Sequence, residues 1–175
     1  MVIVFLMLSC SLPLSEGANG EIDHTAVVDW VEDGDTFNVT SGETVRLADI
    51  DTPEIEEEGY YQARSYMINL LKLSTQQGKT VYLDIDDVSR TDSYGRLVCV
   101  VYVDYNSTHH MNVNKALIQN GYAVAWDHNN NEFNPSNWQL YVQKDLIPEF
   151  PSFTFVILLM VTVLAGTLFF KFSKS

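Results

Sequence analysis

Thr36-Phe37-Asn38-Val39-Thr40-Ser41-Gly42-Glu43-Thr44-Val45-Arg46-Leu47-Ala48-Asp49 is the stretch that decides the fold. Phe37 and Val39 alternate with Thr36, Asn38 and Thr40, which is the period of a strand with one face in a core. Ser41-Gly42-Glu43 turns the chain back into Thr44 to Asp49. There Val45 and Leu47 face one way and Arg46 the other. The alternation therefore fixes a register and also sends a guanidinium out of the core side onto a surface.

Outward from this pair the pattern continues. Ala26 to Val31 is mostly apolar, and Asp33-Gly34 marks a tight turn before the stretch above. Glu57 to Ser74 carries helical spacing, with Ala63, Met67, Leu70 and Leu71 on one stripe. Gln76-Gln77-Gly78-Lys79 ends that helix. Thr80 to Asp86 alternates through Val81, Leu83 and Ile85, and Leu97 to Val103 is almost continuously apolar, as in a strand covered on both sides. Asn112 to Asn120 reads as a helix closed by Gly121, and Asn134-Pro135-Ser136 opens a last helix running to Lys144. Three strands, a helix, two strands and further helices predict a mainly β, α+β fold. The expected form is a five-stranded barrel of the OB type with about three packed helices.

Chemistry concentrates at Asp33-Gly34-Asp35-Thr36, Arg46, Asp49-Ile50-Asp51-Thr52-Pro53-Glu54 and Thr91-Asp92-Ser93-Tyr94-Gly95-Arg96. Carboxylates are hard oxygen donors suited to Ca²⁺ or Mg²⁺. Arginine presents a planar fork that matches a phosphate. A hard cation, two phosphate forks and a spare carboxylate are the parts needed to hydrolyse a phosphodiester. Thr52 precedes a proline, which favours an extended backbone. Asp33 and Asp49 read as turn or supporting residues, His109-His110 as a solvated loop, and Glu56-Glu57-Glu58 as acids at the positive end of the first helix.

At these residues the chain resembles the staphylococcal nuclease, or thermonuclease-like, family, over roughly Thr25 to Trp126. The resemblance implies the five-stranded OB barrel and, position by position, a set of roles. Asp35 and Asp51 match Ca²⁺-binding carboxylates, and Thr52 matches the residue that gives a backbone carbonyl. Glu54 matches the general base toward water. Arg46 and Arg96 match the arginines that grip the phosphate, and Tyr94 matches a tyrosine beside it. The implied reaction is endonucleolytic hydrolysis of DNA, with RNA open to the same chemistry, leaving 3′-phosphates. Two departures stand out: an acidic segment replaces a long basic loop after Glu54, and Trp126, with His128, stands where an aromatic pair flanks the base. The rival reading is a catalytically silent nuclease-fold module that binds nucleic acid or protein.

The 175 residues hold one domain, expected over 20–147, between two hydrophobic ends. Val2 to Leu14 followed by Ser15-Glu16-Gly17-Ala18 predicts a signal peptide over 1–19. Residues 148–175 carry Pro148-Glu149-Phe150 and an uncharged run over about 153–170, of membrane-spanning length, followed by Lys171 and Lys174. This end resembles an archaeal Pro-Glu-Phe sorting tail, which implies an archaeosortase-type processing enzyme; a permanent single-pass anchor is the alternative. Both ends predict export and attachment to the membrane or cell surface, and the protein is expected to be a monomer. No disulfide is expected from Cys10 and Cys99. Asn38-Val39-Thr40 and Asn106-Ser107-Thr108 satisfy the glycosylation sequon, and of these only Asn106 falls in a clear loop. The net charge of −13 implies that any nucleic acid is held by local arginines and a metal rather than by a basic surface.

Overall fold

In the computed structural model the described residues are 20–73, 80–127 and 130–144. The expected leader over 1–19, the expected helix end at 76–79, His128, and the expected sorting tail and hydrophobic run over 148–175 lie outside them. Among the described residues no helix is long and apolar enough to cross a membrane.

The elements run β1 (His24–Val31), β2 (Thr36–Val39), β3 (Thr44–Leu47), β4 (Ile50–Asp51), α1 (Tyr60–Leu73), β5 (Thr80–Ile85), β6 (Leu97–Asp104), β7 (His109–Asn112), α2 (Val113–Gln119), β8 (Val124–Ala125) and β9 (Tyr141–Gln143). The expected meander forms first: Phe37 pairs with Val45 and Thr36 with Arg46 across β2 and β3. β1 pairs antiparallel with β2 and with β5, and β5 pairs antiparallel with β6. A parallel β3–β6 ladder, with Arg46 opposite Val98 and Leu47 opposite Cys99, then closes a five-strand ring. This is a mainly β barrel of the OB kind, and its closure removes the ring's free edges.

Phe37, Val45, Val81, Leu83, Cys99 and Val101 are wholly buried inside it, each side chain contributing roughly 1.5–3 kcal/mol. The α1 stripe is the expected one, with Ala63, Met67, Leu70 and Leu71 all buried. α2 begins at Asn112, whose side chain accepts from the Lys115 N–H, and ends before Gly121 at φ +73°. Inside α2, buried Asn114 accepts from the Val101 N–H and donates to the Ala48 and Cys99 carbonyls. That one amide ties α2 to the β3–β6 seam, immediately before Asp49.

Three expectations are corrected. The last helix is a single 3₁₀ turn, Pro135–Asn137, after which Trp138 is extended and buried and β9 pairs with β7. The Asn134 cap forms as expected, but burying an indole and completing a ladder outweigh a few residues of helix propensity. His109 and His110 belong to β7 rather than to a loop. His110 is buried rather than solvated, with Nδ1 3.3 Å from Asp104 Oδ1. Glu56, Glu57 and Glu58 precede α1, whose first turn holds no acid, and Glu56 takes a positive φ of 76°. Only two α-helices are therefore present among the described residues.

Candidate active site

The β1–β2 turn sets the site. Asp33 Oδ1 accepts the Asp35 N–H at 3.0 Å, which curls the loop. Gly34 is needed there for space. A Cβ on it would meet Thr52 Oγ1 at 2.7 Å and Ala63 Cβ at 2.9 Å. Only glycine lets the loop close on Thr52 and α1.

That closure buries Asp35. Its Oδ2 accepts the Thr52 N–H at 3.0 Å and the Thr52 hydroxyl at 2.9 Å. Its Oδ1 accepts the Thr36 hydroxyl at 3.1 Å and lies 2.8 Å from Arg46 Nη1. Burial pushes the Asp35 carboxyl up to about 6, against the lowering effect of Arg46 and with a further push from Asp33; the two threonine bonds oppose the rise. Arg46 also reaches the second carboxylate, with Nη2 3.6 Å from Asp51 Oδ1. One guanidinium therefore touches both acids, and the sheet register that put Arg46 opposite Thr36 is what aims it there.

Asp51 and Trp126 are delivered by a different device. Asp49, buried and left-handed at φ 51°, turns the chain sharply from β3 into β4. β4 then pairs with β8, Asp51 opposite Val124. The Asp49 carbonyl accepts the Trp126 N–H at 2.9 Å, and its Oδ1 accepts from Asn131 at 2.6 Å.

A cleft of about 480 Å³ opens beside these groups, lined by Arg46 and Arg96, Asp49, Trp126 and Asn131. Arg96 stands at the end of a turn knitted by Asp92, whose Oδ1 accepts the Tyr94 and Arg96 N–H groups while Oδ2 holds Arg96 Nε at 2.7 Å. Burial alone would raise the Asp92 carboxyl. The bonds from Arg96 and Tyr94 outweigh it and hold that carboxyl below the usual range. The exposed Tyr94 ring lies under the guanidinium, 5.2 Å from its carbon.

Of the sequence-derived site residues, Asp35, Arg46, Asp51 and Thr52 come together, and Arg46, Arg96 and Trp126 share one cleft. Tyr94 accompanies Arg96 without lining the cleft, and Glu54 is exposed where the acidic loop begins, its N–H bonded to Glu57. Among the described residues no three His, Cys, Asp or Glu side chains form a metal cage. Sequence reasoning assigned no part to Asp92, Asn114 or Asn131. The four-residue spacing of Asp92 and Arg96 across a Gly turn was the one available signal.

Residues 44–145 match the family model described as staphylococcal nuclease homologue. The matched span is more than half the chain. It runs from β3 to just past β9 and contains Arg46, Asp51, Thr52, Glu54, Tyr94, Arg96 and Trp126, while Asp35 lies ahead of it. No curated protein matches the chain.

Proposed function

The chain belongs to the staphylococcal nuclease homologue family, and from that premise we propose that it is an exported, surface-attached, Ca²⁺-dependent endonuclease. Its substrate is DNA, with RNA open to the same hydrolysis. The observation that carries the reading is the Arg46 guanidinium in contact with both Asp35 and Asp51, on the wall of the cleft that Arg96 also lines.

The donor chemistry fits Ca²⁺. Asp35, Asp51 and the Thr52 backbone are hard oxygen donors, and two carboxylates leave most positions of such an ion to water and a phosphate oxygen. Burial pushes the Asp35 carboxyl up even with Arg46 beside it, and a cation held at its oxygens would favour the charged form. Bound there, the ion supplies Lewis-acid polarisation of the phosphate.

The protein's own groups do the rest. Arg46 and Arg96 hold non-bridging phosphate oxygens, and their attraction grows as charge builds toward the transition state. Asp92 keeps Arg96 in place through Nε; among the described residues no protein group engages its terminal nitrogens. Glu54 takes the proton of the attacking water. The 5′-oxygen departs, leaving a 3′-phosphate, while Trp126 and Tyr94 offer flat faces to the nucleotide. The leader over 1–19 routes the chain out of the cytoplasm. The tail over 148–175 then ties it to the membrane or passes it to an archaeosortase-type enzyme. The protein works as a monomer.

A silent nucleic-acid or protein binding module is the second reading. What favours it is that both arginines pair with carboxylates, in a chain of net charge −13. Plasmid DNA incubated with the purified chain in Ca²⁺ or chelator, with Glu54→Gln as control, separates the two. The enzyme reading requires Ca²⁺-dependent nicking that Glu54→Gln reduces at least 100-fold. Tight binding without nicking supports the module.

A further inference from the structure

Two sequons occur in the chain, and their environments are opposite. Asn38 lies in β2 between β1 and β3, and both ends of its amide are used. Its Nδ2 donates to Glu32 at 2.9 Å and its Oδ1 accepts from Thr44 at 2.6 Å. Asn106 lies in the exposed turn between β6 and β7. Its Oδ1 accepts the Thr108 N–H at 2.8 Å, the Thr108 hydroxyl at 3.1 Å and the His109 N–H at 2.8 Å. Among the described residues no protein group takes its Nδ2. The hydroxyl residue of the triplet is thus already bonded to the amide it must assist, and three donors on one oxygen fix the carboxamide with its nitrogen as the unengaged end.

Two further facts fit a bulky attachment. Tyr105 is 55% and Tyr141 40% exposed, with ring centroids 4.3 Å apart, and they give an apolar face beside Asn106 on which a sugar ring can lie. Asn106 also follows the far end of β6, an eight-residue strand whose near end borders the cleft. A glycan there stands roughly 20 Å from the candidate active site and leaves it open.

We infer that Asn106 is an N-linked glycan acceptor and that Asn38 is not. The inference rests on the proposed export of the chain and is independent of the proposed hydrolysis. The co-reactant is an oligosaccharide activated on a lipid phosphate. Asn106 Nδ2 bonds to the anomeric carbon of the first sugar, and the carbon–oxygen bond to phosphate breaks. The lipid phosphate leaves, and the amide proton passes to a base of the transferring enzyme. No oxidation is involved.

The test is mass spectrometry of the full chain recovered from the envelope of cells that attach N-linked glycans. Cleavage after Arg96 and Lys115 isolates Asn106 in a peptide without Asn38. The expected result is a hexose-containing increment on that peptide, none on the peptide ending at Arg46, and its loss in Asn106→Gln. A mature protein lacking residues 1–19 but bare at Asn106 overturns the glycan and leaves export standing. A bare protein that still carries its leader overturns both, and an increment that survives Asn106→Gln overturns the assignment.

Discussion

Replacing Asp84 by Asn should stabilise the fold, increasingly as pH rises. Asp84 lies on β5 opposite Val100 and is only 3% exposed. Its Oδ2 accepts a single bond, from the Gly20 N–H at 3.2 Å. Burial pushes its carboxyl up to about 8; the Gly20 bond opposes this, and Glu132, Asp23 and Glu21 push further the same way. In the unfolded chain the group ionises near pH 4. Between about pH 4 and pH 8 the folded state therefore holds a proton that the unfolded state has lost, and stability declines as pH rises through that window. At about 1.4 kcal/mol per pH unit the decline has a ceiling of about 6 kcal/mol, and water reaching the carboxylate reduces it. Asn keeps an acceptor for Gly20 and carries no charge. Urea unfolding of both proteins at pH 4, 6 and 8 measures the difference. The variant should match the wild type at pH 4 and exceed it by at least about 2 kcal/mol at pH 8. A constant difference across the three pH values would rule out ionisation of Asp84 as its source.

Arg46→Ala should lower kcat/KM for DNA by about 10²–10³-fold, on the order of a lost transition-state donor, with Arg46→Lys recovering only part because it lacks the fork; steady-state nicking rates check both. Asn114→Ala removes the side-chain partner of the Val101 N–H and of the Ala48 and Cys99 carbonyls, of which the Cys99 carbonyl keeps the Ala48 N–H, and should cost about 2–4 kcal/mol in denaturant unfolding. Gly34→Ala forces Thr52 and Ala63 apart and should cost about 1–3 kcal/mol, with weaker Ca²⁺ binding by calorimetry because Thr52 no longer holds Asp35. Asp92→Ala should raise KM and lower kcat together, whereas Asp92→Asn keeps the turn bonds from the Tyr94 and Arg96 N–H groups but loses the acceptor for Arg96 Nε and should recover only part of both; an Asn variant with wild-type kinetics would show that Asp92 serves the turn alone.

Much of this was legible before any coordinates. Strict alternation in β2 and β3 encodes which side chains turn inward, and the α1 stripe encodes which face packs, because both periods are local properties of the backbone. The identities of Asp35, Arg46, Asp51 and Arg96 were likewise open to reading, since hard donors and phosphate forks are properties of side chains. β7, β8 and β9 were not legible. His109–Asn112 has no alternation, and β8 and β9, of two and three residues, form only because β4 and β7 offer them an edge from elsewhere in the chain. Alternation put Asp84 on the outward face of β5, yet the fold buries it there, with the Gly20 N–H on its Oδ2.

By itself, then, the sequence determined the barrel's faces, its principal helices and the kinds of chemistry available to it. Only the tertiary structure decided that β3 runs parallel beside β6, which places Arg46 and Arg96 on one cleft although 50 positions separate them. It also decided which acids lose their water. Periodicity reports the direction of a side chain relative to its own backbone. Pairing partners and desolvation depend on what arrives from elsewhere in the chain, and no local window contains that information.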